Sequence, residues 1–390
     1  MACRDARTQA DLAQADTAAV RATEDFLRYL REDLLPASTG PLAVGPEACA
    51  RLIGLERLDD PLGEGRTAVP PADSLLARAR ALVDERRAAL DSLAAASRAD
   101  GTRAALEALA TERPDANDFV PYMDRRLESV RDFLRGHAIV TLPRRDEIEV
   151  REAPEFRGLL ALTGLDAAGP WEVRGARAWL EVTRPDPAWD EAHRQAHLAR
   201  FARHGAELSA MHDGLPGLGL RAIVLRAGPL RLRRALLSMW SAEGWGEYCE
   251  PMMLDEGYGA GDPGYRLAEA ARALRFAGRS YAALAIHAGA MTSDQARAML
   301  EERCLLDPED AARETRTAIT DPAIMGYTDA ARQLLDLRDE VRRALGPGFR
   351  LRAFNDAVLR LGAVPAGWVR AGVTREMGIV DGPDAVGAKP

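Results

Sequence analysis

Apolar residues recur at helical spacing along most of this 390-residue sequence. The clearest stripe consists of Val120, Met123, Leu127, Val130 and Leu134. Alanine, leucine, arginine and glutamate, which favour helices, are abundant throughout. Further helices are predicted over residues 17–31, 46–58, 75–97, 102–111, 188–212, 230–250, 265–288, 292–302, 330–345 and 351–362. The sequence therefore predicts a mainly α fold.

Two short stretches depart from this helical pattern. Ile148-Glu149-Val150 and the segment 178–182 are rich in β-forming residues and have Pro or Gly nearby, so they predict a small sheet or hairpin. We expect an N-terminal helical subdomain over 1–145 and a core over 146–390, within one continuous domain.

Composition and charge argue against some classes of protein. The chain has 52 basic and 60 acidic residues and a net charge of -8, spread along the sequence, which argues against nucleic-acid binding. Its four cysteines form no CxxC pair, and no apolar run suggests a signal peptide or membrane span. We expect a cytoplasmic protein that binds neither nucleic acid nor membrane. The oligomeric state stays open.

The candidate catalytic and metal-binding residues are concentrated between His212 and Glu250. His212 and Asp213 are expected at a helix end, and a helix with Glu243, Glu247 and Glu250 on one face follows about thirty residues later. Zinc hydrolases assemble their sites in this way. The alternative interpretation is a histidine beside a helix dipole and an acidic solvent face. Large apolar neighbours favour partial burial of the carboxylates; they are Trp245, Tyr248, Met252 and Met253.

These elements resemble a known group, the bacterial zincin-like proteins of domain-of-unknown-function family 885. Its hallmarks are HExxPGHH and a downstream EGWxxYxE element. The resemblance rests on His212, Pro216 and Gly217 and on Glu243, Gly244, Trp245, Tyr248 and Glu250. Later segments also match in order, from Ile286-His287 to Phe354-Asn355-Asp356. The match covers most of the chain.

The departures from the family pattern fall on positions that would perform the chemistry. Asp213 stands where the family has Glu, and an aspartate reaches about one methylene less. Leu218 and Gly219 replace the paired histidines, so one metal ligand is absent. Asn355 replaces another histidine. We therefore expect zinc binding to be weak or absent.

The resemblance implies a zincin-like helical domain with a deep central cleft and a role for each matching residue. His212 and Glu243 would hold the metal, and Asp213 would act as base. His287 and Tyr327 are further catalytic candidates, although His287 also suits a satisfied core histidine. Substrate-binding roles fall to Trp245, Tyr248, Glu250 and Arg279. We expect His212, Glu243 and His287 to converge on one cavity.

Two functions remain open at the level of sequence. One is a degenerate relative of metal-dependent peptidases or amidases, used for a small-molecule or peptide-derived substrate, for example in biosynthesis, with or without a metal. The other is a pseudoenzyme that binds a peptide or small ligand in the former cleft.

Overall fold

The computed structural model describes residues 5–57, 71–97, 99–144, 148–158, 161–169, 171–172, 177–228, 231–235 and 237–379. The chain divides into two compact units, 1–42 and 43–390. The first unit contains helix α1 (Ala6–Tyr29), a π-helical turn (Leu30–Leu34) and α2 (Leu35–Ala37). Asp5 caps α1 by accepting a hydrogen bond from the Thr8 amide. The opening helix is thus longer than the predicted 17–31.

The second unit begins with four helices and a small sheet. The helices are α3 (Pro46–Arg57), α4 (Ala72–Ala96), α5 (Thr102–Leu109) and α6 (Phe119–Gly136). The sheet contains β1 (Ile148–Glu152), β2 (Thr163–Ala167) and β3 (Ala178–Val182), with the short helix α7 (Glu155–Gly158) between β1 and β2. The apolar stripe predicted on α6 is confirmed, because Met123, Leu127 and Val130 are fully buried.

The sheet has the order β1-β3-β2, with β1 parallel and β2 antiparallel to β3. Two of these strands were predicted. β2 was missed because Thr163-Gly164-Leu165-Asp166-Ala167 lacks both an apolar run and a regular alternation. Helix α6, the helix Leu218–Ala227 and the segment 210–214 pack against the sheet. The sheet thereby supports the segment that carries His212.

Twelve α-helical or π-helical segments follow within the described residues. They are α8 (Glu191–Ala199), α9 (Arg203–Ser209), a π-helical turn (Ala210–Gly214), α10 (Leu218–Ala227), α11 (Arg231–Ala235), α12 (Met239–Asp255), α13 (Gly264–His287), α14 (Ser293–Arg303), α15 (Pro308–Thr320), α16 (Tyr327–Leu345), α17 (Leu351–Leu361) and α18 (Ala366–Glu376). Two 3-10 turns, Pro322–Gly326 and Gly346–Gly348, flank α16. The mainly helical class is confirmed.

The prediction of one helix over 188–212 was wrong. The chain turns after α8, where Arg200 forms ion pairs with Asp307, Glu309 and Asp310. Phe201 is buried against Phe119 with its ring edge-on. These distant contacts hold the chain outside a regular helix. The predicted helix 230–250 is divided in the same way, since Ser238 caps a new helix, α12, by accepting a hydrogen bond from the Ser241 amide.

Buried residues from both sides of position 145 share one apolar core. That core includes Met123 and Leu127 of α6, Leu180 of β3, and Trp245 and Tyr248 of α12. A second core lies around α4, α13 and α14. None of the described helices is both long and apolar enough to cross a bilayer.

Candidate active site around His212

A tight turn holds His212 in place. The segment 210–214 is π-helical, and the Gly217 amide donates to the Met211 carbonyl at 3.0 Å. A Cβ on Gly217 would lie 1.9 Å from the His212 carbonyl oxygen, so only glycine fits there. His212 therefore lies in the last turn of the helical segment that begins at Arg203, as expected, and this last turn is π-helical. Such turns are frequent at functional sites.

The two hallmark elements contact each other through Trp245. Its indole N–H donates to the Pro216 carbonyl at 2.9 Å, and the Gly217 carbonyl lies 3.3 Å away. The ring is fully buried. Trp245 therefore links the turn after His212 to α12, and its indole N–H already has hydrogen-bond acceptors within the protein. This placement gives it a supporting position instead of the predicted substrate contact.

Glu250 orients the His212 imidazole. Nδ1 of His212 and Oε1 of Glu250 lie 2.9 Å apart, and because a carboxylate accepts hydrogen bonds, Nδ1 is the donor. Arg272 of α13 in turn donates to both oxygens of Glu250 at 2.8 Å. Glu250 is 2% exposed. Its partners are thus protein groups, where the sequence predicted a substrate contact.

The other imidazole nitrogen faces Glu243. His212 Nε2 lies 3.5 Å from Glu243 Oε2, and the Glu243 side chain is 23% exposed, the largest fraction among the carboxylates of α12 that surround His212. The imidazole lies against Gly246, where a Cβ would come within 2.7 Å of Nε2. The Phe276 ring centroid is 5.5 Å from that of His212. Helices α12 and α13 therefore define the ring position.

The carboxylates stabilise the charged form of His212. Burial favours neutral imidazole, but hydrogen bonds to Glu243 and Glu250 outweigh it and raise the pKa of His212 to about 10. Burial opposes ionisation of Glu250 as well, yet Arg272 and His212 lower its pKa to about 2. The pKa of Glu243 is also lowered, because the His212 contact exceeds the effect of burial. The site therefore holds an imidazolium between two carboxylates.

Asp213 and Glu247 lie beside this ion pair in different environments. Thr163 of β2 donates to Asp213 at 2.7 Å, and burial raises the pKa of Asp213. Burial raises the pKa of Glu247 to about 7, despite the nearby charge of Arg279. Glu247 Oε1 is buried and has no hydrogen-bond partner among the described residues. The predicted acidic face of α12 is thus partly buried, as expected.

His287 has its own partners. The side chain is 1% exposed, its Nε2 lies 3.0 Å from the Ala318 carbonyl, and the Val44 amide donates to Nδ1 at 3.4 Å. It also lies eight residues beyond Arg279, about 12 Å further along α13. Among the described contacts, none joins it to the His212 site. The structure therefore brings together His212 and Glu243 but not His287, and favours the interpretation as a satisfied core histidine.

Tyr327, Arg279 and Tyr248 complete the predicted set. The Tyr327 hydroxyl donates to Asp321 at 2.9 Å, and burial, Asp321 and Glu243 raise its pKa. Arg279 is near enough to Glu243 and Tyr327 to influence both electrostatically. Tyr248 is fully buried and donates to Asn355 at 2.9 Å, so it belongs to the core and not to an open substrate surface.

The donor set does not fit a zinc centre with three protein ligands. His212 Nε2 and Glu243 offer two donors, but Leu218 and Gly219 supply none, and no group of three metal-binding side chains occurs within the described part of the chain. The expected deep cleft at His212 is not confirmed either. The two cavities described lie elsewhere, one beside Glu56 and Trp240, the other along residues 258–263.

Sequence reasoning missed Thr163 and the arginines Arg272 and Arg275. Both arginines lie on α13 at helical spacing from Arg279, which was the one signal available. Their partners lie on other elements, and no local pattern indicates them.

The chain is thus a mainly helical protein with a small mixed sheet and a buried site formed by one histidine and several carboxylates. The family model described as "Bacterial protein of unknown function (DUF885)" matches residues 2–373, so the chain belongs to this family. No curated protein matches the sequence significantly.

Two solved structures share the fold. One is described as "a putative lipoprotein of unknown function from Shewanella oneidensis"; it is 21% identical, with a TM-score of 0.74, over 95% of this chain and 67% of that one. The other is "the putative lipoprotein from Colwellia psychrerythraea"; it is 18% identical, with a TM-score of 0.68, over 89% of this chain and 58% of that one. The chain thus spans about three-fifths to two-thirds of their length. The predicted cytoplasmic location stays a prediction.

Proposed function

We propose that this chain is an acid–base hydrolase for a small-molecule or peptide-derived substrate and descends from a zincin-like metallohydrolase. The observation that carries the proposal is the Arg272–Glu250–His212 series of contacts, which leaves Nε2 directed at Glu243. A carboxylate that orients a histidine through Nδ1 is a recurrent catalytic arrangement. Glu243, the most exposed carboxylate of the set, offers the base.

Glu243 and His212 together account for each proton transfer of the reaction. Glu243 takes a proton from water as the water oxygen bonds to the substrate carbonyl. His212 gives its Nε2 proton to the leaving nitrogen or oxygen as the bond to the carbonyl carbon breaks. The proton on Glu243 then returns to His212 across the 3.5 Å between them. Water is consumed, and both groups recover their starting states.

Ligand binding without turnover is the second candidate. The favouring observation is the burial of His212, which is 6% exposed. A substrate would reach Nε2 only if the surrounding helices moved, whereas a ligand that contacts Glu243 alone requires no such movement.

Hydrolysis of aminoacyl amides and esters by the purified protein tests the proposal. We expect turnover to survive EDTA, and we expect His212→Asn and Glu243→Gln each to lower kcat/KM by about 100-fold or more. His193→Asn is the matched control, because His193 is exposed and contacts Glu309. Turnover lost in EDTA and restored by zinc would contradict the proposal. Binding of one of these amides or esters without turnover would support ligand binding as the function.

We further propose that zinc is bound weakly or not at all by the natural chain. Combining Asp213→Glu with Leu218→His is expected to increase zinc affinity, since it supplies a third ligand beside His212 and Glu243. Calorimetric titration of zinc measures the change. A variant with Asp213→Glu and Leu218→Gln controls for the polarity added at the start of α10. Equal zinc affinities in all three proteins would show that the retained residues serve a different site.

A further inference from the structure

Helix α13 places three arginines around one aromatic ring next to His212. The guanidinium carbons of Arg272, Arg275 and Arg279 each lie 5.3 Å from the Phe276 ring centroid. The same ring is 5.5 Å from the His212 ring. Three positive charges are therefore concentrated beside the proposed acid–base pair.

The three arginines differ in how well they are paired. Arg272 donates to both oxygens of Glu250 at 2.8 Å and to Ser209 at 3.2 Å. Arg275 and Arg279 approach Glu314 only to 3.7 Å, and Arg279 approaches Glu247 only to 4.0 Å. These distances exceed hydrogen-bond length. Arg272 is thus hydrogen-bonded to the protein, whereas Arg275 and Arg279 form only longer ion pairs with it.

Buried polar atoms are left without partners at this point. Nε of Arg275, Nε of Arg279 and Oε1 of Glu247 are buried and form no hydrogen bond within the described residues. An unsatisfied buried donor destabilises the fold, so such groups normally have a partner. The two donors and the acceptor therefore offer hydrogen bonds to a polar ligand.

We infer that Arg275 and Arg279 bind a carboxylate group of the ligand that occupies the His212 site. The inference rests on the proposed function for the location of that ligand. A guanidinium presents paired N–H groups that match the two oxygens of a carboxylate. Glu247 would contact the same group in its protonated form, by donating a hydrogen bond to a carboxylate oxygen.

Charge balance favours a monoanion. Arg275 and Arg279 bring two positive charges, and Glu247 and Glu314 bring two negative ones. A carboxylate adds one negative charge, which protonation of Glu247 offsets. A phosphate dianion would leave an uncompensated charge in a buried position, and this is costly. The substrate class is therefore a small acid, such as an N-acyl amino acid or the C-terminal unit of a peptide.

Calorimetric titration with acetate, N-acetylalanine and inorganic phosphate at constant ionic strength tests this assignment. We expect both carboxylates to bind the natural protein, and we expect Arg275→Lys and Arg279→Lys each to weaken binding at least about tenfold. These variants keep the charge and remove the paired donors, which limits damage to folding. Arg297→Lys is the matched control, since Arg297 is exposed and pairs with Glu301. Absence of carboxylate binding, phosphate bound more tightly than acetate, or an equal loss in the control would overturn the assignment.

The variant His212→Asn separates this inference from the proposed function. We expect it to lose hydrolysis while still binding acetate more tightly than Arg275→Lys and Arg279→Lys do, because the two arginines and not the imidazole hold the carboxylate. If His212→Asn loses hydrolysis and acetate binds neither protein, only the carboxylate assignment fails. If acetate binds but neither protein hydrolyses any substrate, only the proposed function fails.

Discussion

Gly246→Ala is expected to displace the His212 imidazole and to lower kcat/KM for hydrolysis by about 100-fold or more. A Cβ at position 246 would lie 2.7 Å from Nε2 and 2.8 Å from Cδ2 of His212. The ring is held on its far edge by Glu250, so it has to rotate away from Glu243 to relieve the overlap. We also expect the overpacking to lower the free energy of unfolding by about 1–3 kcal/mol.

Gly244→Ala is the matched control on the same helix. Its Cβ would lie 2.7 Å from the Ala330 Cβ and 2.9 Å from the Ala331 nitrogen, so it disturbs the contact between α12 and α16 and not the imidazole. Urea unfolding and the NMR signals of the His212 ring measure the two effects separately. We expect both variants to lose stability, but only Gly246→Ala to shift the ring signals. An unchanged His212 signal in Gly246→Ala would contradict the described packing.

Glu250→Gln is expected to lower the free energy of unfolding by about 3–5 kcal/mol near neutral pH, because it removes the buried partner of both Arg272 and His212. It is also expected to flatten the pH dependence of stability. In the natural protein the pKa of His212 is raised to about 10, well above its usual value near 6.5. The glutamine cannot supply the negative charge that maintains this shift.

The direction of the pH effect follows from proton binding. Between pH 6.5 and about 10, folded His212 keeps a proton that the unfolded chain loses, so the stabilisation is complete below pH 6.5 and is lost as the pH rises through 10. Each unit of pKa shift corresponds to about 1.4 kcal/mol, and the loss amounts to several kcal/mol. Urea unfolding at pH 6 and pH 9 compares the two slopes. Glu301→Gln, in an exposed pair with Arg297, serves as control. Parallel slopes for Glu250→Gln and the natural protein would contradict this assignment.

Local patterns in the sequence were sufficient for much of the helical framework. The stripe on α6 and the long apolar α13 were predicted because a helix that buries one face repeats its apolar residues every three or four positions. The same periodicity placed Glu243, Glu247 and Glu250 on one face of α12. The family matches then identified the two segments that meet at His212.

Contacts between segments far apart in the sequence determined the helix break after α8 and the contacts within the site. The break after α8 depends on acidic residues of the segment 307–310, more than one hundred positions away. Pro216 and Trp245 showed no sequence signal of their contact, nor did Thr163 and Asp213.

The sequence by itself determined which residues form the helices and which carboxylates share a face, because these properties depend on neighbours within two turns of helix. Only the tertiary structure decided what each polar group pairs with. Glu250 became the partner of His212 and Arg272, and His287 bonded to backbone groups of Val44 and Ala318. A buried charge pairs with the group that the packing of other helices brings within hydrogen-bond distance. Helical periodicity depends only on local neighbours and so does not predict that packing.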